Sequence, residues 1–183
     1  KDKIVYSKGF GYRDYENKQA VTPNTLFAIG SCSKAFTSSV LGLLAKDGKL
    51  DLDKPATNYI PYLKFYNSDM NEKITVRDMM CHRTGLPRHD YSWYLFNSFS
   101  QDSMLMRVQY QEPNTGIREK WQYNNFMFLA QGVMAEKLTG KTWAQNVKEK
   151  FFDSLGMGRS NFTIENMVKD ADHSLGYGVE KDS

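Results

Sequence analysis

The chain has 183 residues, with 40% hydrophobic and 14% aromatic side chains before its 13 Gly are counted, the ordinary share for a globular domain and too rich for a disordered chain. Its 24 Lys+Arg against 21 Asp+Glu leave a formal charge of +3 with both signs interspersed, so nucleic acid is not an expected partner. No apolar run approaches 18 residues, which excludes a helical membrane span from the sequence pattern.

Ile4–Lys8 and Phe10–Tyr15 are aromatic and β-branched runs broken at Gly9, and they predict antiparallel strands in a small sheet. From Ser31 to Lys46 the period becomes helical, with Phe36, Val40, Leu43 and Leu44 on the apolar side and Gly48 placed to end the helix. Leu50–Pro55 reads as a connector. Thr75 and Asp78 form a capping-box start for a short helix that Thr84-Gly85-Leu86-Pro87 stops. A further helix is expected over Ser100–Val108. Asn124–Leu138 carries two apolar stripes, Met127/Ala130/Met134/Leu138 and Leu129/Val133, and therefore predicts a largely buried helix ended by Gly140. Thr142 with Gln145 opens another, with Trp143, Val147, Phe151 and Phe152 as core candidates. Beyond Gly156 the chain reads as loop, with a short strand near Tyr177.

Cys32 and Cys81 fit no disulfide framework or ligand spacing and are expected to be buried thiols. His82, His89 and His173 lack metal-ligand spacing, so no metal is expected. His82 reads as a turn-stabilising residue ahead of Gly-Leu-Pro rather than as a catalytic base. Thr139-Gly140-Lys141-Thr142 lacks the upstream glycine and the strand of a phosphate loop. Tyr91, Trp93, Tyr94 and Phe96 either line an apolar cleft or, as the favoured expectation, pack as an aromatic cluster.

Two short patterns point to chemistry. Ser31-Cys32-Ser33-Lys34 is an S-x-x-K arrangement at a helix start, where a three-residue offset puts hydroxyl and amine on one face. A serine needs a neighbour to take its proton, and a helix N-terminus favours an attacked carbonyl oxygen, with the Ser31 N–H as one donor. S-x-x-K alone arises by chance about 0.7 times in a chain of this length. Tyr123-Asn124-Asn125 opens the buried helix and supplies a phenol able to shuttle protons beside a lysine.

In order along the chain, these boxes resemble the serine β-lactamase and penicillin-binding-protein superfamily, in the branch holding class C β-lactamases, D,D-peptidases and esterases. The resemblance rests on Thr25–Thr37, Gly48–Pro55, Ile74–Pro87, Trp121–Asn125 and Leu155-Gly156-Met157. It implies an α+β fold in which residues 1–30 are strands of a sheet lobe, 31–160 the nucleophile helix and a helical lobe, and 161–183 a loop returning to the sheet. It implies Ser31 as acyl-accepting nucleophile, Lys34 as its proton partner, Tyr123 as general acid/base in both half-reactions and Asn125 as positioner of substrate and lysine. It also implies a small-molecule or peptide substrate (a β-lactam, D-amino-acid peptide or ester), no cofactor, and a periplasmic or secreted location. The alternative on the same fold is a non-catalytic domain that binds peptidoglycan or a β-lactam. The family's third box, K-T-G or H-x-G, is not found: His173-Ser174-Leu175-Gly176 is one residue too long. The chain is accordingly expected to be an interior section of a larger domain.

Overall fold

A computed structural model describes residues 3–95 and 100–178, which fall into two compact units: one holds the residues up to Ser31 and from Phe152 onward, the other Cys32–Phe151.

In the first unit, β1 (Tyr12–Asp14) pairs antiparallel with β2 (Gln19–Ala20) through an irregular register. The turn between them is set by Asp14, whose carboxylate accepts the Asn17 backbone N–H at 2.9 Å. Lys18, left-handed at φ 54°, lays its ammonium over the Tyr15 ring at 3.9 Å. The strand expected over Ile4–Lys8 does not form, and Ile4, Val5 and Tyr6 are exposed. Propensity needs a partner, and the hairpin takes its second strand from residues 19–20 instead. Gly9 has a different role, since a Cβ there would meet the Val21 carbonyl oxygen at 2.1 Å. The later segment is tied back by a parallel bridge between Leu26 and His173, and by Asp172, which accepts from Thr22 and Thr25 and pairs with Arg13 at 3.3 Å. No strand forms at Tyr177; its hydroxyl accepts the Tyr15 N–H and donates to Glu16. A short helix the sequence pattern did not reveal, Ile164–Met167, is capped by Thr163.

The second unit is helical. α1 (Ser33–Lys46) follows a 3-10 turn, Gly30–Cys32, rather than beginning at Ser31. It ends as predicted at Gly48, where φ is 71° and the N–H groups of Gly48 and Lys49 reach the Ala45 and Leu44 carbonyls. After α2 (Ser68–Lys73) comes α3 (Val76–Met80), which opens with the complete Thr75/Asp78 capping box. α4 (Asp90–Leu95) and α5 (Gln101–Met106, capped by Ser100) precede α6 (Asn125–Thr139). α6 ends at the left-handed Gly140, and α7 (Trp143–Val147) opens with the Thr142/Gln145 box. The core lies where α1 packs on α6 and α7: Val40, Leu41 and Leu44 of α1 and Phe126, Met127, Ala130 and Met134 of α6 are all nearly or wholly excluded from water. Each large side chain so buried is worth about 1.5–3 kcal/mol. Trp143 is half-buried and donates its indole N–H to Thr37 at 2.9 Å; Phe151 is half-buried edge-on to Phe36.

Two expectations are corrected here. Cys32 and Cys81 are both exposed, because each sits at a helix end, N-cap of α1 and C-cap of α3, rather than on an inward face. Tyr91 and Tyr94 are 81% and 76% exposed and form no packed cluster; of that group, Trp93 packs edge-on against Phe126, and Phe96 lies outside the described residues. Among the described residues no helix is long and apolar enough to cross a membrane.

Candidate active site

The helical unit builds its polar centre from three segments. The first is the turn leaving α3. His82 and Gly85 adopt positive φ (56° and 87°), and a Cβ on Gly85 would meet the Thr115 carbonyl oxygen at 2.5 Å, so only glycine fits this close approach. The loop 114–122 is thereby drawn against the turn: Asn114 N–H bonds the Gly85 carbonyl, Arg118 N–H the Arg83 carbonyl and Gln122 N–H the His82 carbonyl.

The Arg118 guanidinium locks the arrangement by a two-pronged bond to Asp78, Nε to Oδ1 at 2.8 Å and Nη2 to Oδ2 at 2.7 Å. The same carboxylate accepts the Thr75 N–H of the capping box. Burial alone pushes the Asp78 carboxyl up, but the bonds from Arg118 and Thr75 hold it below the usual carboxylate range.

The second segment is the mouth of α6. Asn124 is fully buried and caps the helix by accepting Met127 N–H; its amide nitrogen donates to the Pro87 carbonyl at 2.7 Å, and its backbone N–H to His82 Nδ1 at 3.2 Å. Tyr123 and Asn125, on either side of it, are consequently placed with little freedom. The His82 ring lies 4.6 Å from that of Tyr123, and burial, then the Lys34 charge, hold its imidazole below the ordinary histidine pKa.

The third segment is the first turn of α1. Lys34, half-buried, donates to Asn125 Oδ1 at 2.8 Å, and its ammonium stands 4.7 Å from the Tyr123 ring centroid and 5.3 Å from that of Phe128. Asn125 in turn donates Nδ2–H to Asp90 Oδ1 at 3.3 Å. An ammonium only donates and a carboxylate only accepts, so the amide's orientation is fixed by its two partners. Asp90 is also paired with Arg88 at 2.7 Å, and the Arg88 guanidinium lies 5.0 Å from the Tyr123 ring.

Lys34, Tyr123 and Asn125, three of the four residues singled out from the sequence, are therefore brought together within one unit. The fourth, Ser31, is the middle residue of the 3-10 turn before α1 and is exposed; Gly30 before it has φ 48°. Asp90, Arg88 and the Asp78–Arg118 pair were not anticipated, since each is a common exposed-type residue whose partner lies more than 30 positions away, except Arg88 with Asp90. Among the described residues no group of three His, Cys, Asp or Glu is arranged to hold a metal ion.

Comparison with known proteins follows the same lines. The profile of the Beta-lactamase family matches residues 1–182. An unguisins hydrolase of Aspergillus campestris is 33% identical over 170 residues, covering 88% of this chain and 32% of the relative. A teichoic acid D-alanine hydrolase of Staphylococcus aureus is 32% identical over 163 residues, covering 89% and 39%. The solved octameric penicillin-binding protein homologue from Pyrococcus abyssi is 29% identical, with a TM-score of 0.83 over 99% of this chain and 43% of that one. The chain thus spans about a third to two fifths of the curated relatives, and its fold is β-lactamase/transpeptidase-like, with a helical part and a short antiparallel sheet.

Proposed function

This chain belongs to the Beta-lactamase family, and from that premise we propose that it carries the nucleophile and proton-transfer groups of a serine hydrolase acting on an amide, β-lactam or ester carbonyl. The observation that carries the reading is the bond from Lys34 Nζ to Asn125 Oδ1 with the Tyr123 ring alongside. It unites groups 91 positions apart whose chemistry is useful as a set.

In the proposed cycle, Ser31 Oγ attacks the substrate carbonyl carbon while its proton passes to the Tyr123 oxygen, which acts as the phenolate beside the Lys34 ammonium. The Ser31 N–H, at the start of the helix, receives the developing oxyanion. The intermediate collapses, the bond to the leaving group breaks, and Tyr123 returns the proton to the departing nitrogen or oxygen. Water then attacks the acyl-Ser31 ester, gives its proton to Tyr123, and Ser31 regains its hydroxyl. The Lys34 charge beside the ring stabilises negative charge as it develops on the phenol. Asn125 holds the ammonium in place and offers an amide edge to substrate.

The relatives' names, a hydrolase of unguisins and a hydrolase of teichoic acid D-alanine, support hydrolysis as the reaction. A location in the periplasm or outside the cell belongs to the same proposal.

The test is turnover by the full-length protein of a panel: a p-nitrophenyl ester, a D-alanine anilide and a chromogenic cephalosporin. At least one is expected to be hydrolysed, with kcat lower by a factor on the order of 10³ or more in Ser31→Ala. Hydrolysis that is unaffected by Ser31→Ala contradicts the mechanism. Stoichiometric binding of a panel member without turnover favours a binding domain on the same fold.

A further inference from the structure

Resting on that reading of Tyr123, we infer that His82 is its positioning residue: its backbone carbonyl holds one flank of the phenol and its neutral imidazole the other, and the imidazole makes the site sensitive to acid.

The geometry is unusual in its economy. One residue receives both flanking N–H groups of Tyr123: its carbonyl oxygen accepts from Gln122 at 2.8 Å, and its ring Nδ1 accepts from Asn124 at 3.2 Å. The ring of the same residue lies 4.6 Å from Tyr123 at 34°, with Phe128 at 5.2 Å and Trp121 edge-on at 5.8 Å. His82 is 8% exposed and stands at φ 56°, in the left-handed region. Backbone on both flanks and ring face are thus all set by one residue that touches no reacting atom, the Asn124 flank and the ring face by its side chain.

A ring nitrogen accepts only while unprotonated, so the bond to Asn124 fixes the neutral form with its proton on Nε2. Protonation replaces an acceptor with a donor opposite the Asn124 N–H, and the clamp opens. The surroundings oppose that protonation. Lys34 approaches from α1, Arg88 lies over the Tyr123 ring, and Arg83 is on the turn itself. The nearby carboxylates are engaged elsewhere, Asp90 by Arg88 and Asn125, and Asp78 by Arg118 and Thr75. Burial and the Lys34 charge lower the imidazole pKa. The clamp is therefore intact above the ordinary histidine value of about 6.5 and is lost as pH falls through the lower folded value.

The test uses the full-length protein and a fluorophosphonate, measuring the saturating rate of Ser31 phosphonylation, with loss of fluoride, and the half-saturation concentration between about pH 4.5 and 8. His82→Asn keeps an acceptor at the δ position and tolerates positive φ, but does not titrate. It is expected to react faster than His82→Leu at neutral pH, because the acceptor for Asn124 persists, while its acid limb moves to lower pH than that of wild type. His82→Leu keeps apolar bulk without an acceptor, and is expected to lose on the order of 10- to 100-fold in rate with little change in half-saturation. Nitrogen NMR of the wild-type imidazole is expected to show the Nε2–H tautomer at neutral pH. Superimposable acid limbs for wild type and His82→Asn, an Nδ1–H tautomer, or an undiminished rate in folded His82→Leu overturns the inference. If His82→Leu does not fold, the other two measurements decide it. Labelling that persists in Ser31→Ala sinks the hydrolase reading alone, and the tautomer then still tests the clamp.

Discussion

Lys34 Nζ and Asn125 Oδ1 meet at 2.8 Å, joining the first turn of α1 to the first residue of α6, and Asp90 holds the other end of the same amide at 3.3 Å. Because Asn124 caps α6, Asn125 is free of any capping duty. Asn125→Ala is therefore expected to fold with stability within about 1 kcal/mol of wild type, yet to lower Ser31 acylation on the order of 100-fold by releasing the ammonium. Asn125→Asp sets a carboxylate against the ammonium and beside Asp90. The two carboxylates repel where the amide had donated to Asp90, so acylation is expected to fall at least as far as in Asn125→Ala. Acylation rates of the two variants, measured beside thermal melts, check both expectations.

Asp78 is a stability centre for the site without belonging to it. Its side chain is 8% exposed and ties the capping box of α3 to Arg118, which is 52% exposed. Breaking a buried pair costs about 3–5 kcal/mol, and the half-solvated Arg118 reduces the expected loss in Arg118→Ala to about 2–3 kcal/mol. The folded carboxyl lies below its unfolded value of about 3.9. Its stabilisation is then fully present above that pH and is lost as pH falls through the folded value. Chemical denaturation as a function of pH is expected to show a shallower acid decline in Asp78→Asn than in wild type.

Two glycines with similar dihedral angles separate close approach from conformation. Gly140 has φ 71° and nothing within 4 Å of a built Cβ, whereas Gly85 has φ 87° and the Thr115 carbonyl oxygen at 2.5 Å. Gly140→Ala is expected to cost only the left-handed penalty, about 1–2 kcal/mol. Gly85→Ala must also push the 114–122 loop away from the turn, and is expected to cost at least about 1 kcal/mol more and to reduce activity, because that loop leads into Tyr123. Equal melting temperatures for the two variants contradict the steric account.

What the sequence made legible were the local devices. Thr75/Asp78 and Thr142/Gln145 form their capping boxes, and Gly48 and Gly140 end their helices, because each uses hydrogen bonds within a few residues. The strand expected at Ile4–Lys8 failed for the converse reason: pairing is decided by a partner elsewhere, and residues 19–20 were taken instead. Lys34, Tyr123 and Asn125 were legible as chemistry-bearing types in ordered boxes, and their meeting is a property of the packed helices. Asp90 and Arg118 carried no such signal. A carboxylate with a partner 35 positions away, or a guanidinium reaching back 40, reads in one dimension as an ordinary surface charge. The exposed thiols of Cys32 and Cys81 show the same limit, since a helix end and a helix interior differ by one or two positions.

The central claim, a covalent acyl-enzyme on Ser31, is tested most directly by intact-mass spectrometry of the full-length protein after exposure to a fluorophosphonate or a penicillin. The account predicts one adduct per chain, carried by the peptide that contains Ser31, and no adduct in Ser31→Ala. An adduct of the same mass and stoichiometry in that variant contradicts it.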